Sequence, residues 1–274
     1  MSSFRRYCHM NRDIKNITRS ILFVVLLGIL VPACEKQEDP LAVLNIDTGL
    51  SLELTQTLTP NGGMPSIDIW TTDEVNCSNA IIKNKVFSWA TIAEIVIEGF
   101  GYNGGSCEEG KSKPRINLPL QMEPAYQSFF ISITGAGKLG GVVNKVNEEY
   151  ALNMESQKGF FSRNNVVRRI VPGMYWGYIE IKPGETNPEE VFKKIDQLLN
   201  QYEDQTFSFQ NGDYTYFKVI NNKVNLNSLN ATGKFVSFAF KLKGINLEPF
   251  VYAVKSVPNI SGHIYSYAGT EYVL

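Results

Sequence analysis

The chain has 274 residues, with 26 Lys+Arg against 27 Asp+Glu and 2 His, which is room for one large domain or two small ones. A composition of 43% hydrophobic, 12% aromatic and 19% charged residues excludes disorder, and the near-neutral balance excludes a polybasic nucleic-acid binder. So few histidines also exclude multi-histidine zinc or iron sites.

At the N-terminus Arg5, Arg6, Arg12, Lys15 and Arg19 precede the apolar run Ile21–Leu30, followed by Val31-Pro32-Ala33-Cys34. A basic region, a short apolar region and a small-residue cleavage site are the parts of a secretory signal peptide. The run is too short for a permanent span, which needs about 20 residues. Leu30-Val31-Pro32-Ala33-Cys34 resembles the lipobox of bacterial lipoproteins, although Val31 and Pro32 stand where that family prefers Leu and then Ala, Ser or Thr. The resemblance implies cleavage of a signal peptide over 1–33, lipidation of Cys34, and a membrane partner reached through a lipid anchor that two or three acyl chains make stable. The alternative is an ordinary secretory signal that leaves Cys34 as a free thiol.

Residues 34–45 read as an acidic tether opening with Glu35-Lys36-Gln37-Glu38-Asp39. An acidic cluster just behind the lipidated cysteine is similar to the export signal of some surface lipoproteins, which implies an outer-membrane, surface-exposed location. Removing 1–33 takes away five basic residues and Asp13, so the mature net charge becomes −5 instead of −1. Such a chain feels no general attraction to nucleic acid or anionic lipid.

Beyond the tether, period-2 alternation dominates. Leu50, Leu52 and Leu54 alternate with Ser51, Glu53 and Thr55, and further strands are predicted at 67–70, 92–98, 115–120, 128–133, 165–171 and 174–182. The last third adds 206–210, 214–220, 223–226, 234–243, 250–256 and 263–267. Asn211-Gly212 between aromatic runs predicts a hairpin, and Asn221-Asn222 a second tight turn. One amphipathic bracing helix is predicted over 188–202: Asn187 caps it, Pro188 suits its first position, Glu190 completes a capping box, and Val191, Ile195, Leu198, Leu199 and Tyr202 form one stripe. A weaker helix is read over 143–152. The fold class is therefore mainly β, with β-sandwich-like antiparallel sheets and one bracing helix, the alternative being α+β. Two units are expected, a β-rich 46–122 and a β-rich 123–274 carrying helix 188–202, or a single domain over 46–274.

Cys8 leaves with the signal and Cys34 carries lipid, so Cys77 and Cys107 remain. An even remainder in an oxidising compartment predicts one disulfide, which the chain-entropy model values at about 3.5 kcal/mol for this loop. The alternative is two separate buried thiols.

Gly135-Ala136-Gly137-Lys138-Leu139-Gly140 matches G-x-G-x-x-G, with Glu155 at a suitable distance, but its flanks do not alternate strand and helix as a dinucleotide site requires. His263, the mature chain's sole imidazole, lacks a G-x-S-x-G elbow to serve and reads as a packing or hydrogen-bonding residue beside Tyr265. Two acids about 5 to 10 Å apart would suffice for a glycosidase, yet sequence separation does not reveal such a pair. In Met174–Ile181, Tyr175, Ile179 and Ile181 take one face of a strand and Trp176, Tyr178 and Glu180 the other. If the aliphatic face is the core, Trp176, Tyr178 and Glu180 form a binding surface suited to sugar faces or protein hot spots. If both faces are covered, Trp176 is simply buried.

These readings point to a lipid-anchored cell-envelope protein with a non-enzymatic binding or assembly role. The expected partner is a glycan or an envelope protein, through glycan capture, adhesion, pilus-like assembly or service to an outer-membrane complex. No cofactor, metal or catalytic residue is assigned, and the rival reading is a histidine-independent carboxylate hydrolase such as a glycosidase.

Overall fold

The structure, a computed structural model, describes residues 49–104, 106–121, 126–134, 137–155, 159–229 and 231–274. The predicted signal peptide, Cys34 and the tether lie outside the described residues. Among those described, no helix is long and apolar enough to cross a membrane.

The first part of the chain makes two sheets that share one core. Strands β1 (Leu50–Thr59) and β2 (Gly62–Thr71) form a long antiparallel hairpin. Next come β3 (Ala80–Trp89), β4 (Ile92–Tyr102), β5 (Arg115–Pro119), β6 (Tyr126–Ile133), β7 (Gly137–Val146), β8 (Glu149–Met154), β9 (Phe160–Ser162) and β10 (Val166–Arg168). They arrange as a four-stranded sheet of order β5-β2-β1-β9 and a six-stranded sheet of order β10-β8-β7-β6-β4-β3. Alternation does the work that the sequence implied. Leu50, Leu52, Leu54, Ile67, Ile69 and Leu118 point from the smaller sheet into the same cluster as Ile95, Ile97, Phe129, Ile131 and Leu139 of the larger one. The opposite face of the smaller sheet is left with Glu53, Thr55, Thr57, Ser66, Asp68, Trp70, Arg115 and Asn117, because the side-chain period of a strand is two.

The second part is built on the sheet β15-β11-β16-β17, made of β11 (Met174–Ile181), β15 (Phe235–Lys241), β16 (Ile260–Ser266) and β17 (Glu271–Val273). Helices α1 (Pro188–Tyr202) and α2 (Glu248–Lys255) cover one face, where Val191, Ile195, Phe250 and Val254 meet Tyr175, Ile179, Phe240 and Ile264. Asn187 caps α1 as the sequence predicts, its Oδ1 accepting from the Glu190 N–H at 3.4 Å and its Nδ2 donating to Glu190 Oε2 at 3.0 Å. The other face lies under a small three-stranded sheet of β12 (Gly212–Asp213), β13 (Phe217–Ile220) and β14 (Lys223–Leu226), which buries Trp176 among Met174, Tyr214 and Phe217.

The mainly β class and the 188–202 helix stand, and four local readings change. Residues 143–152 are not helical: they end β7 and begin β8 around a turn in which Asn147 takes a φ of 52°. Residues 250–256 are not a strand: 250–255 belong to α2 and Ser256 caps it, since Pro249 starts the helix and Phe250 and Val254, four apart, face the sheet. Asn211-Gly212 does not make the hairpin turn, and 206–210 is not a strand; Gly212 already pairs with Val219, and the reversal falls at Thr215, whose φ is 73°. Asn221-Asn222 does make its turn, both residues having positive φ. Strand β3 escapes the alternation test because a bulge between Lys83 and Asn84 breaks its register.

Gly135 and Ala136 of the G-x-G-x-x-G segment lie outside the described residues; from Gly137 onward the segment is strand β7, antiparallel to β6, and opens no helix as a dinucleotide site requires. The adjacent Gly141 makes room for the buried Phe129 ring, which a Cβ there would overlap.

Candidate functional site

The outward polar face of β5-β2-β1 carries a cross-strand network. Asp68 is buried and sits directly opposite Glu53 on β1 and Asn117 on β5. It pairs with Arg115 and accepts from Asn117 Nδ2 at 2.6 Å. Asn117 Nδ2 also donates to Ser66 Oγ at 3.2 Å, Thr55 and Ser66 hydroxyls meet at 3.0 Å, and Thr57 Oγ1 donates to Asn117 Oδ1 at 3.0 Å. Arg115 and Arg163 each lie over the Trp70 ring.

Against this face stands the turn between β12 and β13. Asp213 accepts from the Thr215 N–H at 2.7 Å and pairs with Lys218 at 3.1 Å. Asn227 Nδ2 donates to the Thr215 carbonyl. These contacts hold a β-branched residue in the left-handed region, where it is strained.

Between the two walls lie two open cavities that share Glu53. One, of about 760 Å³, is lined by Glu53, Arg163, Asn164, Asn211, Asp213 and Lys218. The other, of about 450 Å³, runs past Glu53, Thr57, Asp68, Asn117, Tyr216 and Asn227. The charges in the groove balance, Glu53, Asp68 and Asp213 against Arg115, Arg163 and Lys218. Glu53 is half-buried and has no hydrogen bond or ion pair among the described residues. Burial, and after it the Asp213 carboxylate, pushes its carboxyl above the ordinary carboxylate value.

Tyr216 is also a wall of a third space, an aromatic cleft of about 370 Å³ lined by Leu58, Trp176, Tyr216, Leu226, Tyr265 and Glu271. Trp176 stacks on Tyr216 at 5.5 Å and on Tyr265 at 6.5 Å between ring centroids. Tyr216 donates to the Gln56 carbonyl at 2.9 Å, which ties it to β1.

The candidate surface Trp176, Tyr178 and Glu180 is therefore not an outward-facing patch. Both faces of β11 are covered, and Trp176 is 3% and Tyr178 6% exposed. Trp176 instead forms a wall of the aromatic cleft. Tyr178 packs against His263 at 5.4 Å, and burial raises its phenol. The Glu180 carboxylate accepts from the Thr232 N–H at 2.9 Å and from the Gly233 N–H. His263 joins Glu271 through Nδ1 and stacks on Tyr265, as a packing and hydrogen-bonding residue.

Cys77 and Cys107 are neighbours, but they are free thiols here and the predicted covalent bond is absent. Cys77 is buried and donates to Asn79 Oδ1 at 3.0 Å. The neighbouring Cys77 thiol, foremost, holds the exposed Cys107 thiol up to about 11, so little nucleophilic thiolate is present at neutral pH. Among the described residues no group of three or more His, Cys, Asp or Glu side chains gathers to hold a metal ion.

Sequence reading did not single out Asp68, Arg115, Asn117, Arg163 or Asp213. The available signal was polar residues at every second position of β1, β2 and β5, where a solvated sheet face and a binding wall look alike. No family model, curated protein or solved structure matches this chain.

Proposed function

We propose that this chain is a lipid-anchored cell-envelope protein, held at the outer membrane through Cys34, that binds glycans in the groove between β5-β2-β1 and the β12–β13 turn. The lipobox-like leader supports the anchor. One observation carries the binding role: amides, hydroxyls and balanced charges line two cavities that share Glu53, beside a cleft walled by Trp176, Tyr216 and Tyr265. A sugar offers hydroxyls to such polar groups and flat C–H faces to such rings.

A glycan array probed with wild type and the Asn164→Ala/Asn211→Ala double variant tests this reading. Bound glycans lost in the variant support it. No glycan bound by the wild type, or an unchanged profile in the variant, refutes it. Membrane fractionation of Cys34→Ala tests the anchor, and release into the soluble fraction is expected.

The second reading, a carboxylate hydrolase, is favoured by the raised Glu53 carboxyl in the same cavity as Asp213. It requires new reducing ends from a bound oligosaccharide and their loss in Glu53→Gln. Binding without turnover removes it.

A further inference from the structure

The Trp70 indole is flanked by two guanidinium groups, Arg115 and Arg163, each with its central carbon 5.3 Å from the ring centroid. A guanidinium held over a ring by cation–π attraction still has N–H groups free to form a fork that takes a carboxylate through two parallel bonds. On Arg115 that role is filled, because Asp68 supplies the carboxylate. Arg163 lies over the same ring at the same distance and has no acid partner among the described residues. It opens on the 760 Å³ cavity together with Asn164 and Asn211.

Arg163 also adjoins Glu53. The Arg163 N–H donates to the Leu52 carbonyl at 3.0 Å and the Leu54 N–H to the Asn164 carbonyl at 3.0 Å. The first bond continues the parallel register of β1 with β9, which places residue 163 beside residue 53, and the second is shifted by one residue. Two unpartnered groups of opposite charge thus border one cavity.

We propose that this cavity binds a sugar bearing a carboxylate, a uronic acid, whose carboxylate completes the Arg163 fork as Asp68 completes that of Arg115. Asn164 and Asn211 take its hydroxyls, and Lys218 adds a second cation on the far wall. This inference rests on the glycan reading and narrows it. The groups facing Glu53 set its pH dependence: Asp213 from β12 and Asp68 from β2 raise its carboxyl in addition to burial, while Arg115 from β5 and Lys218 from β13 oppose them. Protonating Glu53 removes a like charge beside the ligand, so affinity for the acid rises as pH falls toward the carboxylate range.

The test is calorimetric titration of the full chain in detergent with trigalacturonate and with its methyl ester. Wild type is expected to prefer the acid by about tenfold or more, the scale of one charge-assisted bidentate contact. Arg163→Gln brings the two affinities together, Arg163→Lys keeps part of the preference, and Glu53→Gln tightens binding of the acid at neutral pH. A thermal melt of each variant shows that it is folded, and the lysine variant serves if the glutamine one is not. Equal affinity for acid and ester in wild type, or a preference that survives Arg163→Gln, overturns the inference. Neutral glycans bound in preference, and lost in Asn164→Ala/Asn211→Ala, overturn it while leaving the glycan reading intact. Polyglutamate bound as tightly as trigalacturonate overturns the sugar class, and no binding of any glycan removes both.

Discussion

Gln56 ties β1 to the end of β10 and the segment that leads on to β11, and replacing it with leucine tests how far that attachment depends on one amide. Its side chain is 2% exposed. Nε2 donates to the Arg168 carbonyl at 2.8 Å, and Oε1 accepts from the Ile170 N–H at 2.9 Å. Leucine has similar volume and offers neither bond, so an N–H and a carbonyl next to the fully buried Ile170 lose their partners. Each unsatisfied buried group costs about 1–3 kcal/mol, offset in part by the gain of an apolar side chain. A net loss of about 2–4 kcal/mol follows, which for a chain of this size lowers Tm by roughly 5–15 °C. Circular dichroism melts read this directly. An independent route to the same amide exists, because a Cβ on Gly63 would overlap Gln56 Oε1. Gly63→Ala should therefore destabilise as well, and the double variant should lose less than the sum of the two. A Gln56→Leu melt within about 1 °C of wild type, or strict additivity with Gly63→Ala, would refute the reasoning.

Gly141→Ala drives a methyl into the buried Phe129 ring and should cost about 1–3 kcal/mol in a denaturant melt, whereas Gly104→Ala, with open space around it but a φ of 104°, tests backbone strain without overpacking. For Glu53 the folded carboxyl lies above its unfolded value of about 4.5, so the stability it contributes is lost as pH rises from there through the folded value. Glu53→Gln should remove that loss, giving a higher urea midpoint than wild type at pH 7 and a smaller difference at pH 4; a lower midpoint at pH 7 would contradict the assignment. Cys77 is buried and Cys107 exposed, both as free thiols, so an alkylating reagent should label Cys107 in the folded protein and Cys77 only after unfolding, as peptide mass spectrometry reads; equal labelling of the two in the folded protein would contradict this burial.

The polar groove shows where reading a sequence stops. Thr55, Ser66 and Asn117 are ordinary residues for a solvated strand face, and only the register of β1, β2 and β5 brings them beside Asp68. The opposite wall comes from Asp213 and Lys218, far along the chain, carried there by a turn that Asn211-Gly212 seemed to place elsewhere. Trp176 was legible as one face of a strand, but whether that face met solvent depended on β12–β14 lying over it.

What the sequence determined by itself was local and periodic. Alternation at Leu50–Thr55 set a half-buried strand, Asn187 and Glu190 capped α1, Asn221-Asn222 set a turn, and the 143–152 and 250–256 readings failed where the spacing of apolar residues fits either period. Tertiary structure alone decided which polar face became a groove, which tyrosine and tryptophan rings met, and which of Arg115 and Arg163 found an acid. The physical reason is that backbone geometry is written over a few neighbouring residues. Charge pairing and cavity walls depend on side chains that only the packing of distant strands brings within reach.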